Sequence, residues 1–340
     1  MRFNPNGDVP RPTIEEYLDA TGDQEMHDSY KQSRYDWNPA VHDEDILRIS
    51  KSSLGTFGWC KKQYWLRHFA RLDDFGSDDA TRGLNVHDAV EYFWANVEPQ
   101  LKAIDMALAS NSTEQARALM HDVIPLPPQP FEFGEEEQIR QWVDWQFNRY
   151  TYTKGKGWIP TSVEANIHAR MTIDIDGLGV PIHVRGFIDT IFANDDGDGY
   201  ALMELKTGKY KGKSKRTSMR KEMQFYRMML ENSAHYEYLP ITHWGWEFPG
   251  GGMKDGDGPT IYYEPVKSAT QTPSSVMKSV QRLVQAHVDN DFPTPSDKEV
   301  ILWGTQHGPE GLKSKCDWCS YTEICPRFTG EEYVIEGKVE

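Results

Sequence analysis

Two predicted β-strands near the middle of the chain constrain its fold more than any other feature of the sequence. They lie in residues 186–209, which read GFIDTIFANDDGDGYALMELKTGK, and an Asp/Gly-rich turn joins them. Asp189 falls on the first strand, and Glu204 and Lys206 fall two residues apart on the second. Because side chains alternate along a strand, Glu204 and Lys206 project from the same face. The pattern predicts a strand pair at which two carboxylates and an ammonium group converge.

These three groups suit the metal-assisted hydrolysis of a phosphodiester bond. Two carboxylates can hold Mg²⁺ or Mn²⁺ through oxygen, and the ion activates a water molecule and neutralises charge on the phosphate. The lysine can orient or deprotonate that water and stabilise the developing negative charge. Charged residues are also common at strand ends of soluble proteins, so the interpretation needs support from elsewhere in the chain.

The distribution of basic residues supplies some of that support. The chain is acidic overall, with a formal net charge of −15, which by itself argues against nucleic-acid binding. Residues 204–227 nevertheless hold nine Lys/Arg against two acids, and residues 60–71 hold four Lys/Arg, no acid and interleaved aromatics. Basic runs with aromatics suit a phosphate backbone and stackable bases, although solvated helix faces are the ordinary alternative. We predict a DNA partner, contacted by Lys61, Lys62, Arg67, Lys209, Lys211, Lys213, Lys215, Arg216 and Arg220.

The four cysteines predict a second, structural metal centre. Cys316, Cys319 and Cys325 form a C-x2-C-x5-C cluster followed by Pro326, and Cys60 lies far upstream. Three cysteines within ten residues cannot pair efficiently as disulfides, and no secretion signal is recognisable at the start of the chain. Zn²⁺ and a [4Fe–4S] cluster both accept four thiolates. The loop after the second clustered cysteine is longer than in zinc ribbons, which favours the iron–sulfur cluster.

Six short motifs together carry a family resemblance. They are SKSSLGTFGWCKKQYWLRH at 50–68, RG-x3-H at 82–87, GFID, MELKTGK, EMQFY and C-x2-C-x5-C-P. Their order resembles that of RecB-like nucleases of the PD-(D/E)XK superfamily over residues 49–328. The iron–sulfur branch, which includes the AddB nuclease domain and the CRISPR-adaptation exonucleases, is the most similar. The resemblance implies an α/β (α+β) fold with a restriction-endonuclease-like core, in which helices flank a mixed central β-sheet.

The resemblance also implies an activity. It indicates a Mg²⁺- or Mn²⁺-dependent exonuclease on single-stranded or end-containing DNA, in repair, recombination, viral replication or CRISPR adaptation. Two alternatives are a non-catalytic DNA-binding or recombination scaffold that keeps the fold, and an endonuclease of a mobile-element or restriction system. The sequence has no G-x4-GK[ST] motif, so we expect no nucleotide cofactor, and any helicase would be a separate partner, as would recombination or adaptation proteins.

Individual roles follow from the same resemblance. His87, on the helix before the sheet, Asp189 and Glu204 would be metal ligands, with the carbonyl oxygen of Leu205 as a further ligand. Lys206 would be the catalytic lysine. The four cysteines would hold a [4Fe–4S] cluster that joins the first helix to the C-terminal segment.

One motif departs from the family pattern. The helix after the sheet usually has a glutamine four residues before a tyrosine. Here Tyr226 is present, but Glu222 occupies the glutamine position and Gln224 lies only two residues before the tyrosine. Gln224 and Tyr226 are our candidates for the site, and Glu222 in the place of the glutamine is the alternative.

The remaining predictions concern organisation. Residues 1–48 form an acidic N-terminal arm, residues 49–328 the nuclease domain and residues 329–340 a C-terminal tail. An apolar stripe from Leu84 to Trp94 indicates a helix around His87. No apolar run is long enough to span a bilayer, so a cytoplasmic protein without a membrane partner is expected. Further elements are predicted as helices near Ser52, at 216–234 and at 271–290, three strands within 161–207, and strands at 241–248 and 260–266.

Overall fold

A computed structural model describes most of the predicted nuclease domain. The described residues are 47–69, 78–124, 135–194, 197–208, 213–250, 259–266, 274–300 and 314–330. Almost all of the predicted acidic arm and most of the C-terminal tail lie outside them.

Strands and helices alternate along the described chain. The strands are β1 (Leu47–Ile49), β2 (Ser162–Ile175), β3 (Leu178–Ala193), β4 (Tyr200–Leu205), β5 (Ile241–Phe248) and β6 (Thr260–Pro265). The helices are α1 (Lys51–Trp59), α2 (Lys61–Tyr64), α3 (Asp78–Asn96), α4 (Leu101–Ala109), α5 (Thr113–His121), α6 (Glu135–Thr153), α7 (Lys213–Glu231), α8 (Ser274–Val288), α9 (Asp297–Val300) and α10 (Pro326–Thr329). A π-helical segment, Trp65–Phe69, follows α2.

The predicted fold class is confirmed, because the strands form a mixed β-sheet accompanied by helices. The predicted strand at 241–248 has those bounds in β5, and the three strands expected within 161–207 are β2, β3 and β4. None of the helices among the described residues combines the length and the apolar character that crossing a membrane requires.

The chain divides into two compact units. The first unit comprises residues 1–75, 170–184 and 277–340, and the second comprises residues 76–169 and 185–276. In the first unit β1 runs parallel to the beginning of β3, where Leu47 lies opposite Ile182.

The sheet of the second unit combines parallel and antiparallel pairs. β3 is antiparallel to β4, β4 is parallel to β5, and β5 is antiparallel to β6. The pairing of Thr190 with Met203 sets the register of β3 against β4, and Glu204 pairs with Trp246 on β5. The ends of β3 and β4 that carry the predicted site therefore lie side by side.

An aromatic core supports this sheet within the second unit. Phe93 and Trp94 of α3 meet Trp142 of α6 and Trp158 in edge-to-face contacts, with ring centroids 5.1 Å apart for Phe93 and Trp142 and 4.9 Å for Trp94 and Trp158. Leu205 at the end of β4 is buried in the same core. Such contacts stabilise by about 0.5–1.5 kcal/mol per pair beyond the area they bury. The core therefore anchors the strand end that precedes Lys206.

Helix α3 buries an apolar face and leaves the side chain of His87 partly accessible. Val86, Val90 and Phe93 recur at helical spacing and are buried, whereas His87 is only partly buried. The predicted apolar stripe was too long at its start, because Leu84 is 65% exposed. The helix therefore packs through its apolar face, and His87 lies outside that buried face.

A capping box starts the first helix of the first unit. The amide of Ser53 donates to Ser50 Oγ at 3.1 Å, and the amide of Ser50 donates to Ser53 Oγ at 2.8 Å. These bonds satisfy backbone donors that a helix start leaves open. The predicted start near Ser52 is thereby explained.

A buried histidine lies in the first unit. The Tyr64 hydroxyl and His287 Nε2 are hydrogen-bonded at 2.8 Å, and the Tyr64 ring stacks on Phe292 with centroids 5.9 Å apart. Burial lowers the pKa of His287 to about 4. At a pH between about 4 and 6.5, the His287 ring is therefore neutral in the folded protein, whereas it would bind a proton in the unfolded chain.

This histidine makes the first unit sensitive to acid. The stability that rests on the neutral His287 ring is fully present above pH 6.5, the ordinary pKa, and is lost as the pH falls from 6.5 to about 4. We expect a loss of about 3 kcal/mol, measured by urea unfolding at a series of pH values. The double variant Tyr64→Phe/His287→Phe should show a shallower loss. An identical pH profile for the two proteins would contradict the prediction.

Candidate active site

The structure brings the two predicted carboxylates together on adjacent strands. One step beyond the Thr190–Met203 pair, β3 reaches Asp189 and β4 reaches Glu204. The backbone amide of Leu205 donates to Asp189 Oδ2 at 2.6 Å, which fixes the Asp189 carboxylate across the strand pair. Glu204 is 3% exposed. Two acids, one of them deeply buried, therefore face each other at the end of the strands.

Lys206 lies between two carboxylates. Its Nζ atom is 2.9 Å from Glu204 Oε1 and 2.6 Å from Glu222 Oε2 on α7. Burial alone would lower the pKa of Lys206, but the two carboxylates outweigh burial and raise its pKa above the ordinary range. The side chain is held in place as a cation.

Helix α7 places Glu222, rather than Gln224, at the lysine. Gln224 is buried and its Oε1 atom accepts a hydrogen bond from Ser275 Oγ at 2.9 Å. Residues four apart share a helix face, whereas residues two apart do not, so Tyr226 lies on the side of Glu222. Burial raises the pKa of the Tyr226 hydroxyl well above its usual value, as do the nearby Glu204 and Asp189. Of the two alternatives for the altered motif, the geometry favours Glu222.

His87 approaches the strand pair from α3. Its Nδ1 atom lies 3.8 Å from Glu164 Oε1 and 3.9 Å from Asp189 Oδ2. Burial would lower the pKa of His87, but these acids and Glu204 together raise it. Within the described ranges, His87, Glu164 and Asp189 form a group whose ligand atoms all lie within 4.8 Å of one another. The arrangement could hold a metal ion.

Sequence reasoning missed Glu164. It lies near the start of β2 and has a φ of 46°, in the left-handed region that few non-glycine residues adopt. No pattern of neighbouring residues marks this acid, because His87, Glu164 and Asp189 lie on α3, β2 and β3 and meet only in the folded chain.

Backbone contacts hold the segment after β4. The amide of Lys206 donates to the carbonyl of Glu247 at 2.8 Å. The Glu247 carboxylate accepts from Trp142 Nε1 at 3.1 Å and lies 3.4 Å from Arg149 Nη1. Burial raises the pKa of Glu247, and Arg149 opposes that shift. The aromatic core and this buried acid together position the backbone of the lysine.

The four predicted cysteines all belong to the first unit. Burial raises the pKa of Cys319 to about 11, and the other three thiols add to the shift. Burial likewise raises the pKa of Cys325. No three of these sulfur atoms, all of them in the described part of the chain, lie within 4.8 Å of one another.

An apolar shell adjoins this cysteine group. Cys319 packs with Trp65 and Ile324 against the buried side chains of Leu66 and Tyr321. A shell of this kind limits the access of water to a metal centre. The structure thus brings the upstream helix and the C-terminal cysteine segment into contact within the first unit.

Several residues predicted to bind DNA have carboxylate partners or are buried. Lys61 Nζ is 2.5 Å from Asp291 Oδ2, and Arg220 makes a two-pronged pair with Glu264 at 2.5 and 2.6 Å. Lys62 is 8% exposed and lies over the Trp65 ring. Arg67 is half-buried. Because their charges are balanced or buried, Lys61, Lys62 and Arg220 are weaker candidates for DNA contacts than the sequence suggested.

Five further residues between Lys209 and Arg216 were predicted to contact DNA. Lys209 and Lys211 lie outside the described residues. Lys213, Lys215 and Arg216 belong to the first turn of α7.

Comparisons with known proteins place this geometry in a family. The model of the PD-(D/E)XK nuclease superfamily matches residues 48–326. No curated protein matches the chain significantly. A crystal structure described as that of SSO0001 has 12% sequence identity and a TM-score of 0.34, over 93% of this chain and 97% of that one, which is too low to establish a shared fold. The superfamily match covers most of the chain and includes both strands of the candidate site. The chain belongs to the PD-(D/E)XK nuclease superfamily.

Proposed function

We propose that this protein is a metal-dependent deoxyribonuclease that hydrolyses phosphodiester bonds with Asp189, Glu204 and Lys206. The observation that carries the proposal is the strand-pair geometry. Asp189 and Glu204 are adjacent across β3 and β4, and the Lys206 ammonium lies 2.9 Å from Glu204. Membership of a nuclease superfamily supports the same reaction.

The donor set fits a divalent ion with hard oxygen ligands. His87, Asp189 and Glu204, with the carbonyl of Leu205, would hold Mg²⁺ or Mn²⁺. Two of these ligand atoms, His87 Nδ1 and Asp189 Oδ2, already lie 3.9 Å apart. When bound, such an ion lowers the pKa of water and neutralises negative charge on the phosphate.

The chain's own residues complete the proposed chemistry. Lys206, held as a cation by two carboxylates, orients the attacking water and stabilises negative charge on the phosphate. Glu222 bonds to the lysine from α7, and the Tyr226 hydroxyl interacts with the Glu204 carboxylate. We therefore count Glu222 and Tyr226 as positioning residues and leave Gln224 out of the site.

The substrate we propose is DNA with single strands or ends, which an exonuclease would degrade. The support is the resemblance to RecB-like nucleases together with the basic residues that begin at Lys206 and continue into α7. The setting would be repair, recombination, viral replication or CRISPR adaptation, with any helicase supplied by a separate protein.

We also propose that the four cysteines hold a [4Fe–4S] cluster with a structural role. The C-x2-C-x5-C spacing, whose loop after Cys319 is longer than in zinc ribbons, and the apolar side chains packed against Cys319 support this proposal. The cluster would join the helix after Cys60 to the C-terminal segment.

Removal of the metal ion tests the proposed nuclease. End-labelled single- and double-stranded DNA should be degraded with Mg²⁺ or Mn²⁺ and left intact with EDTA, because the carboxylates cannot activate water alone. A single-nucleotide ladder would show an exonuclease and its polarity. Internal fragments would show an endonuclease instead.

The same assay separates the rival function. Binding of DNA without cleavage, by folded protein that carries its cysteine-bound metal, would favour a non-catalytic scaffold. Cleavage that persists in EDTA would contradict the proposed metal dependence.

A further inference from the structure

Asp189 lies on the middle one of three strands, and each neighbouring strand brings an acid toward it. β3 pairs with β4 on one side, where Glu204 stands, and with β2 on the other, where Glu164 stands. The Glu204 carboxylate is bonded to Lys206 at 2.9 Å and lies outside the compact group of metal-ligand atoms among the described residues. Glu164 belongs to that group together with His87 and Asp189.

The distances within this group suit a shared ion better than direct hydrogen bonds. His87 Nδ1 lies 3.8 Å from Glu164 Oε1 and 3.9 Å from Asp189 Oδ2, beyond the reach of a hydrogen bond. Two ligands of one ion with bonds of about 2.0–2.2 Å are at most about 4.4 Å apart. Both separations therefore fall within the span that a single ion can bridge. The same ring nitrogen faces both acids.

The local backbone and burial support a role for Glu164 at this place. Its neighbour Val163 packs against the aromatic core and its neighbour Ala165 is buried, while its own side chain is 26% exposed. Its φ of 46° is uncommon for a glutamate and lies in the left-handed region, which strains a residue with a side chain. Residues held in such conformations cluster at ligand-binding and catalytic sites.

We propose that Glu164 of β2 is a ligand of the divalent ion, alongside His87 and Asp189. The proposal rests on the proposed function and adds a carboxylate from a third strand to its ion site. It predicts that the affinity for the ion depends on Glu164 as directly as on Asp189. Lys206 acts on the water and contributes nothing to holding the ion.

Mn²⁺ binding to purified protein, followed by the electron paramagnetic resonance signal of the free ion, tests the proposal without reference to cleavage. Glu164→Gln should raise the Kd for Mn²⁺ by about tenfold or more, which is the lower end of the loss that even an outer-shell change produces. Glu164→Asn should do the same, and asparagine tolerates the left-handed backbone well. Circular dichroism verifies that both variants are folded.

Glu91→Gln is the matched control. Glu91 lies one turn after His87 on α3. Burial raises the pKa of its carboxyl, as do the nearby Glu164 and Asp88, so its charge interacts with an acid of the site. It lies outside the ligand group of described residues. Its substitution removes the same charge and should change the Mn²⁺ affinity far less.

The outcomes separate this proposal from the proposed function. Wild-type affinity in Glu164→Gln, or an equal loss in Glu91→Gln, would overturn the role of Glu164 and leave the nuclease in place. Wild-type protein that binds no Mn²⁺ would overturn the ion site altogether. Lys206→Ala should bind Mn²⁺ with wild-type affinity or better.

Discussion

Replacing Lys206 with alanine is expected to slow DNA cleavage by about 10²–10⁴-fold. The Lys206 ammonium is fixed between Glu204 and Glu222 at 2.9 and 2.6 Å, so its position relative to the two strands is defined before any substrate arrives. Alanine removes the cation that orients water and stabilises negative charge on the phosphate. The measurement is the initial rate of degradation of end-labelled DNA at saturating Mg²⁺.

Lys221→Ala is the matched control for this loss. Lys221 is an exposed residue of the same helix α7 that carries Glu222. Its substitution removes one positive charge from the same basic run and should leave the rate close to that of wild type. Equal losses in the two variants would mean that only the net positive charge matters. Full activity of Lys206→Ala would remove the lysine from the mechanism.

Cys319→Ala is expected to give colourless, poorly soluble protein that lacks nearly all of its iron and sulfide. Cys319 is packed with Trp65 and Ile324 against Leu66 and Tyr321, so the proposed metal centre would join two distant parts of the chain. A ligand present at a free concentration of a thousand times its Kd stabilises the folded state by about 4 kcal/mol. We expect the free energy of unfolding of the first unit to fall by at least that much when the metal is lost. Iron and sulfide assays, visible absorption and urea unfolding measure the effect.

Glu323→Ala provides the control for the cysteine variant. Glu323 is exposed and lies between Cys319 and Cys325 in the same segment. This variant should retain its colour, solubility and stability. A folded and fully active Cys319→Ala protein would contradict the structural role. Colourless wild-type protein that contains one equivalent of zinc would show that the cysteines bind zinc and not an iron–sulfur cluster.

The local part of the site could be read from consecutive residues. The period of a strand fixes the common face of Glu204 and Lys206, and the short connection after β3 brings Asp189 opposite Glu204. Likewise, the helical spacing of apolar residues predicted α3, although the exposed Leu84 shows that periodicity does not define where burial begins.

The altered motif on α7 could not be read in this way. Glu222 and Gln224 are both polar residues of one helix, and the sequence does not define which of them faces the sheet. Packing places Glu222 at Lys206 and joins Gln224 to Ser275. The phase of a helix against a sheet depends on the sum of its side-chain contacts, which lie far apart in the chain.

Ion pairing between elements was equally invisible in the sequence. The basic runs suggested free cations, yet Lys61 pairs with Asp291 and Arg220 pairs with Glu264. Their partners lie 230 and 44 residues away along the chain. Net charge along a segment therefore overstates the charge that is available to a nucleic acid.

The sequence by itself determined the strand pair with its two acids and lysine, and the cysteine set that predicts a metal centre. These features depend on residue type and on spacing within a few positions. On a strand, the alternation of side chains places residues two apart on the same face. Only the tertiary structure decided that Glu164 joins His87 and Asp189, because the three residues lie on α3, β2 and β3. Their approach results from the packing of a helix against two paired strands, and no local pattern encodes such a distance.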